Sequence, residues 1–207
     1  MSSAGPDDRR TAIVHAVWQV IAQSGMGAVS MRTVATAAGV SVGRIQYWFP
    51  SKDELLRASL ETMLSTAADL HAGTAECGDD RAALWELIGH PISRAERART
   101  GVSVFHQYVA AGINHPELAR MLGEAKDAEE DEAARLLCRI APGLDDPRAA
   151  ARSLIATADG LAMRVLIGSL SAAESERALR VEVERRTGPP GHDDGNTDGN
   201  KRASRRR

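Results

Sequence analysis

The sequence predicts an all-α protein of about nine helices, in which an N-terminal three-helix head with a helix-turn-helix precedes a larger helical body. Two observations predict this fold class. Apolar residues recur at spacings of three and four through most of the 207 residues, and no run of four or more residues alternates polar and apolar. Aromatic residues make up only 3% of the chain, so aliphatic residues and methionine must build the core, which favours helices over sheets.

Three short helices are predicted in the head. The first is expected over about residues 8–23, where apolar residues form a stripe and a Ser-Gly pair then supplies a stop. Ser30 is a suitable N-cap for a second helix over residues 31–38, which a glycine ends. Ser41 caps a third helix over residues 42–49, and a proline closes it.

The body is predicted to begin at a capping box, in which the Ser51 hydroxyl accepts from the Glu54 amide and the Glu54 carboxylate reaches back. The long fourth helix follows. Pro91 is expected to end the fifth helix, because proline lacks an N–H and clashes with the preceding turn. The other helices are expected over about residues 79–89, 94–114, 116–140, 145–168 and 171–186.

These elements predict a head over residues 1–50, a body over 51–187 and a disordered, Gly/Pro/Asp/Asn-rich tail over 188–207 that ends in KRASRRR. Charge is distributed unevenly among them. Residues 1–57 carry six Lys/Arg and four Asp/Glu, whereas residues 58–187 carry 15 and 21. A mildly basic head on an acidic body is compatible with nucleic acid at one end.

Several classes of protein are disfavoured by what the sequence lacks. No apolar stretch reaches the roughly 18 residues of a membrane helix, the first ten residues are polar, and two cysteines cannot form a disulfide framework. A cytoplasmic protein without membrane contact is expected. The six histidines show no HxxxH or HxH pairing, and no GxGxxG, Walker or GxSxG pattern occurs. We therefore expect neither a metal, nor a cofactor, nor catalysis.

Residues 30–49 read as helix, glycine-containing turn and helix, which is either a helix-turn-helix or an ordinary helical hairpin. The third helix is too short to be stable alone, so packing must hold it. Its exposed side offers Arg44, Gln46 and Tyr47, which suit base edges and phosphates, and includes no carboxylate. Lys52 then lies at the start of the next helix, where free amides already favour an anion.

The run SMRTVATAAGVSVGRIQYWFPSKDELL, residues 30–56, resembles the N-terminal domain of the tetracycline-repressor (TetR/AcrR) family of transcription regulators. The resemblance implies a ligand-responsive regulator, a repressor, that binds a palindromic operator as a homodimer with the third helix in the major groove. Arg44 would read guanine and Gln46 adenine. The residues expected to contact DNA are Thr33, Ser41, Arg44, Gln46, Tyr47, Trp48 and Lys52.

The segment LIATADGLAMRVLIG, residues 154–168, resembles the penultimate helix of the betaine-regulator-like branch of that family. An apolar stripe with steps of three and four there suits near-parallel packing against a second copy, although the same stripe could face the protein's own core. The expected dimer contacts on this helix are Leu154, Ala158, Leu161, Ala162 and Val165, completed by Leu179 and Val181 on the last helix.

The family resemblance also implies a small-molecule effector, of unknown identity, bound in the body. The candidate pocket residues, each of which could equally be ordinary core, are Met63, Trp85, Phe105, His106, Tyr108, Val109, Met121 and Met163. His106 and its neighbours combine aromatic and hydrogen-bonding groups, so they are the expected polar anchor. The alternative function is a helical small-molecule-binding or protein-interaction module that does not bind DNA.

Overall fold

The computed structural model describes residues 6–75, 78–97 and 99–188, and over these residues the chain forms nine α-helices and no strand. The all-α prediction is thereby confirmed. The head contains α1 (Pro6–Ser24), a 3-10 turn (Met26–Ala28), α2 (Met31–Ala38) and α3 (Val42–Trp48). The body contains α4 (Lys52–Ala75), α5 (Asp80–Arg97), α6 (Arg99–Gly112), α7 (Pro116–Ile140), α8 (Pro147–Leu166) and α9 (Ala172–Thr187). The predicted disordered tail lies outside the described residues, apart from Gly188.

Local hydrogen bonds set the bounds of the two short head helices. The Ser30 hydroxyl accepts from the Thr33 amide at 3.1 Å, and the Thr33 hydroxyl oxygen accepts from the Ser30 amide at 2.9 Å, which together form a capping box. Gly39 ends α2 with a φ of 65°, a left-handed conformation that glycine adopts without strain. The turn then brings Ser41 into position to cap α3.

Pro91 does not break a helix, so the expected break there was wrong. α5 runs through it from Asp80 to Arg97. A proline inside a helix costs about 3 kcal/mol. The residues on either side explain why the helix continues, because Leu84, Ile88 and Ile92 form one apolar face and are at most 1% exposed. Burial of a side chain of this size contributes about 1.5–3 kcal/mol, so three of them outweigh the proline.

Two hydrophobic cores lie one after the other along the molecule. The first joins α1, α2 and α3 to the beginning of α4, and α6 extends it through Val104 and Tyr108. The second is built by α5, α8, α9 and the C-terminal half of α7, and Val102 of α6 packs against it. No break in packing separates residues 50 and 51, because Leu55 and Leu60 belong to the same core as the head. α6 therefore contacts both cores, as does α7, which places Leu118 in the first core and Leu136 in the second.

A set of hydrogen bonds, here called the head–body joint, fixes the head to α4 and α6. The Trp18 indole N–H donates to the Ser59 carbonyl oxygen at 3.2 Å. The Ser59 hydroxyl donates to the Leu56 carbonyl at 2.9 Å and is also hydrogen-bonded to the buried Tyr108 hydroxyl. Gln107 completes the joint: its Oε1 accepts from the Met26 amide at 2.8 Å and its Nε2 donates to the Ile21 carbonyl at 3.3 Å.

The apolar stripe of α8 faces inward, which corrects the expected dimer contacts. Leu154, Ala158, Ala162 and Val165 are between 0% and 6% exposed in the second core, and Leu161 packs against them. Leu179 of α9 is fully buried in the same core, whereas Val181 is 46% exposed. The stripe was the right pattern for helix packing, but its partners are α5, α7 and α9 of the same chain.

No helix over the described residues is long and apolar enough to cross a bilayer. Within the same residues, no group of three or more His, Cys, Asp or Glu side chains could hold a metal ion.

Candidate nucleic-acid interface

The helix-turn-helix holds α3 by its apolar side and leaves the opposite side open. Ile45 is 0% exposed and Phe49, just past the end of α3, is 1% exposed, both in the first core beside α1. The Arg10 guanidinium also stacks over the Phe49 ring, 5.4 Å from its centroid. A seven-residue helix is therefore held rigidly through its neighbours, as the sequence required.

The open side of α3 carries the residues expected to read DNA. Arg44 and Gln46 are exposed, and Tyr47 is 77% exposed, with its ring edge-on to Trp48 at 5.3 Å between centroids. Residues 30–50 contain no Asp or Glu, and Arg44 forms no ion pair with any described carboxylate. A major-groove helix needs this arrangement, in which donors and a cation point outward and nothing repels phosphate.

Ser41 and Lys52, both expected to contact phosphates, are exposed on either side of α3. The Ser41 hydroxyl oxygen accepts from the Arg44 amide at 3.2 Å, so its own proton remains available to a phosphate. Lys52 is exposed at the first residue of α4, and Ser51 caps that helix by accepting from the Glu54 amide at 3.1 Å. The Glu54 carboxylate binds Arg57 instead of reaching back to Ser51 as expected.

Two of the expected phosphate donors do not present a free N–H or O–H at the surface, because one is hydrogen-bonded within the protein and the other is buried without a hydrogen-bond partner among the described residues. The Thr33 hydroxyl donates to the Ala28 carbonyl at 2.8 Å, so its proton supports the start of α2. The Nε1 atom of Trp48 is buried, so this ring N–H does not reach the surface. The expectation that Thr33 and Trp48 donate to phosphates is corrected accordingly, and both residues serve to shape the head.

The expected effector-pocket residues do not form one group. Tyr108 is fully buried in the head–body joint, whereas Val109 and Met163 are 42% and 51% exposed. Trp85 lies under the Arg180 guanidinium, 4.3 Å from its ring centroid, and lines a shallow hollow of about 110 Å³ between α5 and α9. Neither of the two described hollows contains more than one of these four residues, so the structure does not bring them together as a set.

The other four expected residues are half-buried on α4, α6 and α7. Met63 and Met121 pack against the first core, while Phe105 and His106 lie on α6 with their rings edge-on. The His106 Nδ1 lies 2.9 Å from the Val102 carbonyl oxygen. Because a carbonyl only accepts, Nδ1 carries the proton, and Nε2 of the neutral ring is left as an acceptor.

Sequence reasoning missed the role of Gln107. It lies inside the His-Gln-Tyr motif expected to anchor a ligand, yet its amide binds the end of α1 and the following turn. The turn contains Gly25 at a φ of 81°, and the Gln107 side chain lies against it. A polar residue on a half-buried helix face indicated that Gln107 has a hydrogen-bond partner. That partner lies 81 positions away, so the spacing of residues could not identify it.

Comparison with known proteins finds two family profiles that match this chain. The profile of the bacterial regulatory proteins of the tetR family matches residues 13–59, and that of the BetI-type transcriptional repressor C-terminal domain matches residues 80–188. An HTH-type transcriptional regulator BetI from Stenotrophomonas maltophilia is 32% identical over 178 residues, 83% of this chain and 88% of that protein.

Two solved structures show the same fold. A transcriptional regulator from Rhodococcus sp. Rha1 has a TM-score of 0.77 at 25% identity, covering 85% of this chain and 94% of that one. A protein from Saccharomonospora viridis solved in complex with choline also has a TM-score of 0.77, at 24% identity over 86% and 96% of the two chains. The chain belongs to the TetR family of bacterial regulatory proteins, as a ligand-responsive DNA-binding transcription regulator with a C-terminal domain of the BetI type.

Proposed function

We propose that this protein is a repressor that binds a palindromic operator as a homodimer and is released by a small-molecule effector. The observation that carries the proposal is the open side of α3, where Arg44, Gln46 and Tyr47 are exposed while Ile45 is buried. One such helix reads few base pairs, so two copies related by two-fold symmetry are needed to select a site. A protein that acts on chromosomal DNA works in the cytoplasm.

Selection of bound fragments from a random duplex library tests this function. The expected result is a palindrome whose half-sites lie about 34–36 Å apart, or one helical turn. Fragments enriched without a palindrome would contradict dimeric binding, and no enrichment over the starting library would contradict specific DNA binding.

The dimer face that we propose is the outer side of α8 and α9. Exposed residues of α8 and its C-cap recur at alternating steps of four and three, namely Ala149, Ser153, Ala156, Gly160, Met163 and, at the C-cap, Ile167. Ile167 is 71% exposed and Val181 of α9 is 46% exposed. A Cβ added at Gly160 would meet nothing within 4 Å, so the glycine allows close approach from outside the protomer. A stripe of this period suits near-parallel packing against a second copy.

A matched pair of substitutions tests the face. Ile167→Glu places a carboxylate beside its symmetry mate, and Ile113→Glu makes the same change at an 80% exposed isoleucine just past the end of α6. We expect sedimentation to show monomers for Ile167→Glu and dimers for Ile113→Glu. Dimers for both variants would place the interface elsewhere.

A ligand that bound beside α6 would affect the position of the head, because neighbouring residues of this helix would contact the ligand and the head–body joint. Phe105 and His106 are half-buried, with the His106 Nε2 free to accept from a ligand. The next two residues, Gln107 and Tyr108, hold α1 and α4 in the head–body joint. A ligand that bound better to one position of α6 would shift the population of head positions accordingly.

The effector site is tested by screening cationic, anionic and neutral small molecules for stabilisation of the wild-type protein, and then of Phe105→Ala. A stabilising compound should lose its effect in the variant and should weaken operator binding by the wild type. A compound that releases operator equally from both proteins would contradict this position for the site.

A further inference from the structure

A hollow at the head surface joins α3 to the first turns of α1. It has a volume of about 510 Å³ and is lined by Arg9, Gly43, Arg44, Tyr47 and Trp48. This volume far exceeds the roughly 30 Å³ that a water molecule takes in the liquid. It does not belong to the helix-turn-helix alone, because Arg9 lies on α1. The adjacent stacking of Arg10 on Phe49 independently places the start of α1 beside the end of α3.

Neither guanidinium group of this hollow has an ionic partner among the described residues. Arg9 is exposed and, like Arg44, forms no ion pair or hydrogen bond with a described residue. Elsewhere many arginines are paired, as Arg139 is with Asp80 and Arg152 is with Glu130. No carboxylate of the described residues lines the hollow. Two guanidinium groups around one concavity, without a partner in the described part of the chain, favour an external anion.

Gly43 provides a second, independent observation. Glycine inside a helix costs about 1 kcal/mol relative to alanine. A Cβ added at Gly43 would meet no atom within 4 Å, so no close approach within this chain requires the glycine. A position that is costly for the helix and open on the outside is suited to close approach by a ligand.

We propose that this hollow binds a backbone phosphate of the operator, with Arg9 of α1 as a DNA contact outside the helix-turn-helix. The Arg9 guanidinium donates to phosphate oxygens, Tyr47 closes the opposite side, and Gly43 lets the sugar-phosphate backbone approach α3. The proposal rests on the proposed DNA-binding function. A phosphate contact positions the protein without reading sequence, so Arg9 should strengthen binding to operator and unrelated duplex alike.

The test uses Arg9→Gln in the full-length dimer, with a fluorescent duplex carrying the operator selected by the wild type. Each phosphate contact contributes about 0.9 to the slope of log K against log salt, so the loss of two per dimer should make the slope shallower by about 1.8. The affinity deficit of the variant should therefore shrink about tenfold between 50 and 200 mM salt. A scrambled duplex should show a similar deficit.

Arg135→Gln is the matched control, because it removes the same charge from an exposed arginine on α7. It should keep the wild-type slope, and thermal unfolding of both variants should match the wild type. An unchanged slope for Arg9→Gln, alongside tight operator binding by the wild type, would overturn the Arg9 contact and leave the proposed function intact. Failure of the wild type to bind any duplex would contradict both.

A free anion is the other source of the same chemistry. Inorganic phosphate at constant ionic strength should leave the melting temperatures of wild type and Arg9→Gln equally unaffected. If phosphate stabilised the wild type alone while the DNA slopes of the two proteins agreed, the hollow would be a site for a small anion, and the proposal would be wrong.

Discussion

Removal of the Gln107 side chain tests how much one amide contributes to the head–body joint. In Gln107→Ala, the Met26 amide loses its acceptor at 2.8 Å. The Ile21 carbonyl loses one donor but still accepts from the Gly25 amide at 2.9 Å, so it stays satisfied. The free-energy cost of an unsatisfied hydrogen bond therefore falls on one backbone N–H, that of Met26 just after α1.

The magnitude follows from that one unsatisfied donor. Leaving a buried donor without a partner costs about 1–3 kcal/mol, and this site is partly buried, so we expect a loss of about 1.5 kcal/mol in the free energy of unfolding. For a chain of this size, 1 kcal/mol corresponds to about 2–4 °C in Tm. The variant should therefore unfold about 3–6 °C below the wild type.

Calorimetry measures the change in Tm, and hydrogen exchange locates it. The Met26 amide should exchange faster in Gln107→Ala, whereas amides of the second core should be unaffected. Gln19→Ala, which truncates the same residue type at an exposed position of α1, is the control and should leave Tm within about 1 °C. A wild-type Tm with unchanged exchange at Met26 would refute the role of this amide.

Two further substitutions, Tyr108→Phe and Gly43→Ala, have effects whose direction follows from the structure. Burial raises the pKa of Tyr108 to about 12, so the folded protein keeps a proton that the unfolded chain releases near pH 10. The stabilisation is complete below pH 10 and is lost as the pH rises to 12, by about 3 kcal/mol. Urea titrations of Tyr108→Phe should lack this part of the decline, and an unchanged pH profile would contradict it. Gly43→Ala should raise Tm, because the helix gains up to about 1 kcal/mol, yet weaken operator binding in the same preparation. An increase in both quantities would argue against close approach of DNA at that glycine.

Features determined by neighbouring residues could be predicted from the sequence. The caps at Ser30 and Ser41 depend on bonds three residues away, and both are confirmed. The exposure of Arg44 and Tyr47 follows in the same way, because the apolar side of a short helix must face its core.

Features determined by distant packing could not be predicted. Periodicity located an apolar stripe on α8 but could not identify α5, α7 and α9 as its partners, so the outward stripe through Gly160 and Ile167 was missed. Pro91 was misread for the same reason, since the buried face that keeps α5 helical depends on residues far along the chain. Arg9 carried no local signal at all, because its proximity to α3 arises only in the folded head.

The central claim is that the open side of α3 reads base edges, and the affinity of Arg44→Ala for two duplexes tests it most directly. The wild type should bind its selected operator at least about 10³-fold more tightly than a scrambled duplex of equal length and charge. Loss of a bidentate contact to a base costs about 1–3 kcal/mol in each subunit, so Arg44→Ala should weaken operator binding by at least about 30-fold and scrambled binding far less. Equal losses on both duplexes would show that Arg44 contacts only the backbone, and would contradict base reading by this residue.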